Sequence, residues 1–327
     1  MVVPAGVAPR PYLSYPRSMH VVIAGGTGLL GDALTDRLIA DGHQVVHLTR
    51  RTGRSDGRVQ SVTWMPDGSV GPWAQTIDDA DVIVNLAGAG MADRRWSPAR
   101  KALLRSSRID STRSLVGAVR RAIRRPRVFV QGSGIGIYGS MLDDGVRTET
   151  SAAGDDFLGR LAAEWEAAAG PAIEAGCRLV IVRTGIVLSR DGGALPPMKR
   201  PFHFFAGGPV GSGRQWMPWI TIDDWVSIVV WAIDRGDVHG PLNAVAPNPV
   251  RNHEFATALG RALGRPAWLP APAPALRLLL GREMADELLL GGQRAIPARA
   301  EALGFRVAHP GIDGALAHVL ASRKPGA

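Results

Sequence analysis

Gly25, Gly28 and Gly31 recur at three-residue spacing in the run Gly25-Gly26-Thr27-Gly28-Leu29-Leu30-Gly31. A turn of this kind can hold a diphosphate. Gly25 lets the chain reverse tightly, Gly28 lets a pyrophosphate approach the backbone, and Gly31 lets a following helix pack against the preceding strand. The amides of Thr27, Leu29 and Leu30, at the start of that helix, then face the phosphates, because the first N–H groups of a helix have no partner within it. The dipeptide Arg50-Arg51 follows Thr49 about 20 residues later, where an Asp or Glu would accept hydrogen bonds from a ribose 2′-hydroxyl. A carboxylate would repel a 2′-phosphate, whereas guanidiniums pair with one bidentately and Thr49 adds a donor. The expected ligand is therefore NADP(H) rather than NAD(H).

Other reactive residue types are few. The single cysteine, Cys177, excludes an internal disulfide and any multi-cysteine metal site, and its position before an apolar run suits a buried thiol. His203 and His253 have no second ligand at metal spacing, so no metal site is expected. Asp223 and Asp224 stand at a helix start, where capping is the ordinary role and acid chemistry the alternative. Glu149 reads as structural. Tyr138 follows a glycine by two residues and is a candidate catalytic hydroxyl, with packing behind a hydrogen-bonded hydroxyl as the alternative.

Strand and helix alternate around these residues. Val21–Ala24 is a short apolar run that ends in the glycines, as a buried parallel strand does. Leu30, Leu34 and Leu38 form a helical stripe that stops at Gly42. Further strands are expected at Val45–Leu48, Val59–Trp64, Val82–Leu86, Val128–Gln131, Leu179–Val182 and Leu242–Ala246. Helices are expected at Pro98 to Ile123, Asp155 to Ala175, Asp223–Ile233 and Asn252–Leu263. The fold class is α/β, a Rossmann-type doubly wound parallel sheet with a smaller C-terminal substrate or cap domain. Residues 1–18 read as a disordered extension or a misassigned start. Residues 19–190 form the nucleotide domain. Residues 191–327 form the cap, with sheet elements interleaved at about 219–247, and Gly192–Gly213 is expected to be loop.

Hydrophobic content of 46% and charged content of 20% suit a folded chain with a sizeable core. The net charge of +9 is carried almost entirely by arginine, since the only lysines are Lys101, Lys199 and Lys324. It fits compositional bias or attraction to an anionic cofactor or substrate. The densest basic run, Arg120 to Arg127, has no aromatics interleaved, so no nucleic-acid partner is expected. No run reaches the roughly 18 apolar residues that cross a bilayer, so no membrane partner is expected either, and the expected location is cytoplasmic.

An ordered set of motifs sharpens this reading. Asn85-Leu86-Ala87-Gly88-Ala89, Arg95-Trp96, Ser107-Arg108, Gly136-Ile137-Tyr138-Gly139 and Trp165-Glu166-Ala167-Ala168 are followed by Arg183-Thr184-Gly185-Ile186-Val187-Leu188. Gly207-Gly208-Pro209, Gly211-Ser212-Gly213-Arg214-Gln215-Trp216, Trp219-Ile220-Thr221-Ile222-Asp223-Asp224 and Gly292-Gln293-Arg294 come later. Over residues 19–320 the chain resembles the extended short-chain dehydrogenase/reductase superfamily, NAD(P)-dependent epimerase/dehydratase type. Within it, the chain is similar to the "epimerase family protein" branch, sometimes labelled cell-division inhibitor by similarity. The resemblance implies that Leu86 and Ala87 line the adenosine side of the cofactor, with Gly88 also among the cofactor-binding residues. It also implies that Arg108 reaches the nucleotide and that Val187 lies near the nicotinamide. Ser133 matches the superfamily's substrate-orienting serine. Arg214 and Trp216 fall in a loop that faces substrate there.

The same resemblance exposes a gap. Reductases and epimerases of the superfamily use a Tyr-x-x-x-Lys pair, whose lysine lowers the tyrosine pKa so that it can exchange a proton with substrate. Here Tyr12, Tyr15 and Tyr138 all lack a lysine four residues on, and Phe157 stands where the tyrosine belongs. Two readings follow. One is an NADP(H)-dependent oxidoreductase or epimerase on a small carbonyl or sugar-like substrate, working as a monomer or homodimer with Ser133 and Tyr138 as catalytic candidates. The other is an NADPH-binding regulatory or assembly protein.

Overall fold

The computed structural model describes residues 18–50 and 59–321. The expectations for the first 17 residues and for Arg51 lie outside the described residues. Seven strands form one parallel sheet: β1 (His20–Ala24), β2 (Gln44–Thr49), β3 (Gln60–Thr63), β4 (Val82–Asn85), β5 (Val128–Gly134), β6 (Arg178–Thr184) and β7 (Gly240–Ala244). Their order is β7-β6-β5-β4-β1-β2-β3. The order reverses beside β1, so β1 and β4 diverge into a crevice at their carboxyl ends, where α/β sheets take ligands.

The strands are apolar at successive positions because both faces of the sheet are covered. Val21 and Ile23 point to one side, packed with Leu34 and Leu38 of α1 (Leu29–Ala40). Val22 and Ala24 point to the other, with Leu115 and Val119 of α2 (Pro98–Arg121). The helix expected from 155 to 175 is two helices, α3 (Phe157–Ala169) and α4 (Pro171–Glu174). Pro171 has no N–H to continue α3, so the chain restarts there.

Gly192–Gly213 is not all loop. It carries α5 (Leu195–His203), which accommodates Pro196 in its first turn, where a missing N–H costs nothing. Next come α6 (Ile222–Asp234), α7 (Asn252–Leu263), α8 (Ala273–Leu280) and α9 (Arg282–Ala285). A π-helical turn, Asp286–Leu290, a short helix, Ala298–Ala302, and a last helix, Ile312–Ala321, complete this half. Its core gathers Phe202, Met217, Trp219, Phe255, Leu259 and Leu316. Among the described residues no helix is long and apolar enough to cross a membrane, and no cluster of side chains suits a metal ion.

Candidate functional site

The glycine turn is built by close backbone approach. Gly25 has φ +83°, and a Cβ there would stand 2.8 Å from the carbonyl group of Leu86. A Cβ on Gly31 would meet the Gly25 carbonyl oxygen at 2.5 Å and Gly26 Cα at 2.6 Å, so both positions need glycine. We expect Gly31→Ala to cost about 1–3 kcal/mol, the scale of forced overpacking; urea unfolding at wild-type denaturant would refute this packing argument.

No side chain caps α1, whose N-cap is Gly28 in extended conformation. The first-turn amides therefore meet solvent beside exposed Thr27 and Gly28. Leu29 and Leu30 are half-buried. Leu29 abuts Gly192 and Gly193, where an added Cβ would come within 3.0 Å of it, a contact invisible in the motif. Thr49 ends β2 half-buried, and Arg50 follows it, exposed.

The opposite bank is the loop after β4. The Asn85 amide donates to Thr112 Oγ1 (2.9 Å) and Gln131 Oε1 (3.1 Å), while its oxygen accepts from the Ala87 amide. That fixes Leu86, Ala87 and Gly88. Arg108 reaches from α2 against Gly88, where a Cβ would be 3.0 Å from Cζ. Its guanidinium donates to the carbonyls of Ala89 (3.0 Å) and Leu104 (3.1 Å) and lies 5.1 Å from the Trp165 ring centre. Arg108 is 8% exposed and has no carboxylate partner among the described residues; its Nε is buried without any partner. Burial, aided by the charge of Arg100, pulls its pKa down to about 10. A buried cation lacking an anion among the described residues, packed on Gly88 of the same loop that Gly25 abuts, fits a phosphate of a dinucleotide.

Behind this crevice runs a chain of buried polar groups. Ser133 Oγ donates to Glu166 Oε1 at 2.6 Å. Arg183 donates to both Glu166 oxygens, at 2.9 and 2.8 Å. Its remaining nitrogen donates to the Tyr138 hydroxyl (2.9 Å) and the Glu149 carbonyl (3.1 Å). Tyr138 in turn donates to Asn243 Oδ1 at 2.7 Å. Glu149 accepts the backbone amides of Asn243 and Arg299, a structural role. Burial works against the Arg183 charge, but the hydrogen bond and charge of Glu166 outweigh it and raise the pKa. Burial raises the Tyr138 pKa too, against the pull of Arg183.

Tyr138 is fully buried and has the packed, hydrogen-bonded form. An ionised carboxylate only accepts, so the Ser133 proton is turned inward as well. Glu166 and Arg183 fall in separate motifs of the sequence. Their union with Ser133 depends on β5 and β6 being neighbours, which puts Ser133 opposite Arg183 in register.

At the position of the absent tyrosine, the Phe157 ring packs edge-on against Trp96 (5.0 Å between centres), with Lys101 Nζ 5.3 Å from its centre. Lys101 is held by Glu283 at 2.8 Å. Glu287 accepts the amides of Phe157 (3.2 Å) and Leu158 (2.9 Å), so the C-terminal region caps the start of α3. Burial raises the Glu287 pKa.

Arg214 is exposed. Trp216 is flanked by the guanidiniums of Arg251 (4.3 Å) and Arg294 (4.8 Å), and its Nε1 donates to Asp144. Cations thus cover the ring expected to serve as an apolar wall. Val187 is buried on the strand Ile186–Leu188. Thr221, not an aspartate, caps α6. Asp224 is buried, accepting from the Thr221 hydroxyl and the amides of Ala308 and His309, and Asp223 pairs with His318. His203 is exposed, while His253 meets the Gly213 carbonyl. Cys177 is buried, with its thiol pushed up to about 11 by that burial.

Residues 21–244 match the NAD dependent epimerase/dehydratase family, and residues 271–319 match a domain of unknown function, DUF1731. The chain is 43% identical over 307 residues to epimerase family protein MT2273 of Mycobacterium tuberculosis, covering 94% of this chain and 98% of that one. It is 37% identical to epimerase family protein YfhF of Bacillus subtilis, over 94% of this chain and 99% of YfhF. The crystal structure of human epimerase family protein SDR39U1 (isoform 2) with NADPH superposes with a TM-score of 0.83 at 37% identity, covering 92% of this chain and 99% of that one. UDP-N-acetylglucosamine 4-epimerase from Bacillus cereus shares the fold at 17% identity, with a TM-score of 0.71.

Proposed function

The chain belongs to the NAD dependent epimerase/dehydratase family, and from that premise we propose that it is an NADP(H)-binding oxidoreductase or epimerase acting on a small carbonyl or sugar-like substrate. The observation that carries this reading is Arg108, a buried cation without an anion among the described residues, packed on Gly88 of the loop that the glycine turn abuts. The human relative crystallised with NADPH supports it. Amides at Thr27 to Gly31 would hold the pyrophosphate, Thr49 and Arg50 the 2′-phosphate, Leu86 to Gly88 the adenosine side, and Val187 the nicotinamide side. Bound there, the nucleotide supplies hydride exchange.

A second reading has its own observation. Ser133 and Tyr138 both donate inward, to Glu166 and Asn243, so neither has a free proton for a substrate carbonyl. That favours a protein that binds NADPH and signals through a partner. NADPH consumption against a panel of aldehydes, ketones and quinones separates the two. Turnover lowered by Ser133→Ala supports the enzyme; tight NADPH binding without turnover that this variant alters supports the regulator. In either case Arg50→Ala is expected to weaken NADPH binding by about 1–3 kcal/mol, the scale of a charge-assisted hydrogen bond, and scarcely to touch NADH. Equal losses for both nucleotides in calorimetry would remove the 2′-phosphate assignment.

A further inference from the structure

Two stretches of the chain, 192–222 and 255–282, contain no Asp or Glu, although the sequence carries 29 acidic residues. They do contain Lys199, Arg200, Arg214, Arg261, Arg265, Arg277 and Arg282. The fold brings the two together: the Leu269 amide donates to the Gly207 carbonyl (3.0 Å), and Ala271 bridges to Val210.

Large apolar side chains stand exposed at this seam and on α8, which follows it. Phe204 is 82% exposed, Trp268 66%, Leu278 81% and Leu279 73%. No residue of α8 is buried. The aromatic group is held together rather than loose. Trp268 Nε1 donates to the Phe205 carbonyl at 3.1 Å, and the Arg265 guanidinium lies 4.7 Å from the Phe205 ring centre. Phe205 has φ +58°, which costs a residue with a side chain about 1–2 kcal/mol. It ends α5 as a left-handed cap, the Phe205 amide donating to the Phe202 carbonyl (3.0 Å) and the Ala206 amide to the Pro201 carbonyl (2.9 Å), and leaves the Phe205 ring exposed.

We infer that this face docks on an anionic phospholipid surface. Aromatic rings at the headgroup level with guanidinium and ammonium groups around them are the composition of interfacial anchors. Arg261 pairs with Asp313, and Arg277 and Arg282 pair with Asp286, whereas Lys199, Arg200 and Arg265 make no ion pair among the described residues and stay available to an anionic surface. Each basic group near an acidic leaflet adds about 1 kcal/mol of attraction. A second copy is a poorer occupant at the aromatic end: a two-fold contact there sets Lys199, Arg200 and Arg265 against the same cations of the copy. A surface face, with no spanning helix, is all that such a contact requires.

Co-sedimentation with phosphatidylcholine vesicles, with and without about one third phosphatidylglycerol, tests the inference on the full chain. The wild type is expected to bind the anionic vesicles at least about tenfold more tightly. The double variant Phe204→Ser/Phe205→Gly should lose about tenfold on anionic vesicles while keeping its melting temperature, because glycine adopts φ +58° without strain. Wild-type protein that ignores anionic vesicles overturns the inference. So does a double variant that binds them unchanged. Self-association that the double variant abolishes, seen by sedimentation velocity without lipid, would assign the face to a second copy instead. NADPH affinity should be equal in both proteins, so failure here leaves the nucleotide assignment standing.

Discussion

Arg108→Met is expected to weaken NADPH binding about thirtyfold while leaving the nucleotide-free protein as stable as the wild type, or more so. The two halves of this result share one cause. Folding takes the Arg108 charge out of water and gives it only two carbonyl oxygens, with Nε left over. Burial pulls its pKa down from the usual guanidinium range to about 10. For a cation, a lowered folded pKa means the protonated form is disfavoured by folding. The cost is full at neutral pH and fades only as pH rises through about 10. A shift of this size corresponds to about 3 kcal/mol, which methionine avoids while keeping an apolar stem beside Trp165. The same change removes a charge-assisted bond to the ligand, about 2 kcal/mol or thirtyfold. Calorimetry with NADPH and thermal unfolding of the apo protein read the two effects separately. Unchanged affinity, or a melting temperature several degrees lower, would show that Arg108 serves the fold rather than the nucleotide.

The division between what the residues announce and what they conceal follows contact range. The glycine turn was legible because its chemistry is local: Gly25 and Gly31 meet each other and the next loop through backbone alone. The helix Asn252–Leu263 was legible to the residue because its apolar period runs unbroken to Gly264, which takes the left-handed cap conformation (φ +62°). Pro171 and Pro196 misled in opposite directions. One breaks a helix whose periodicity continues past it, while the other starts a helix inside a stretch read as loop. The polar chain from Ser133 to Asn243 joins residues up to 110 positions apart and exists only because β5, β6 and β7 are neighbours. No spacing rule encodes it. Nor does any motif foretell that Glu287, from the C-terminal region, closes on the amide of Phe157 where the superfamily's tyrosine would stand.

Arg183→Met is expected to destabilise the protein by about 3–5 kcal/mol, the largest stability loss of any substitution considered, because it strands a buried carboxylate. The side chains of Arg183 and Glu166 are only 9% and 11% exposed. Losing the guanidinium leaves Glu166 with the Ser133 hydroxyl as its remaining donor here, takes one hydrogen bond from Tyr138, and removes a donor from the Glu149 carbonyl. The double variant Arg183→Met/Glu166→Met should recover part of that loss, since two apolar side chains of similar reach leave no charge unpaired. Urea unfolding of the two single variants and the double variant closes the cycle. A loss below about 1 kcal/mol for Arg183→Met, the range of solvent-exposed pairs, would mean that water reaches Glu166. Ser133 would then be free to turn its proton toward the crevice, and the case for a catalytic rather than a sensing role would strengthen accordingly.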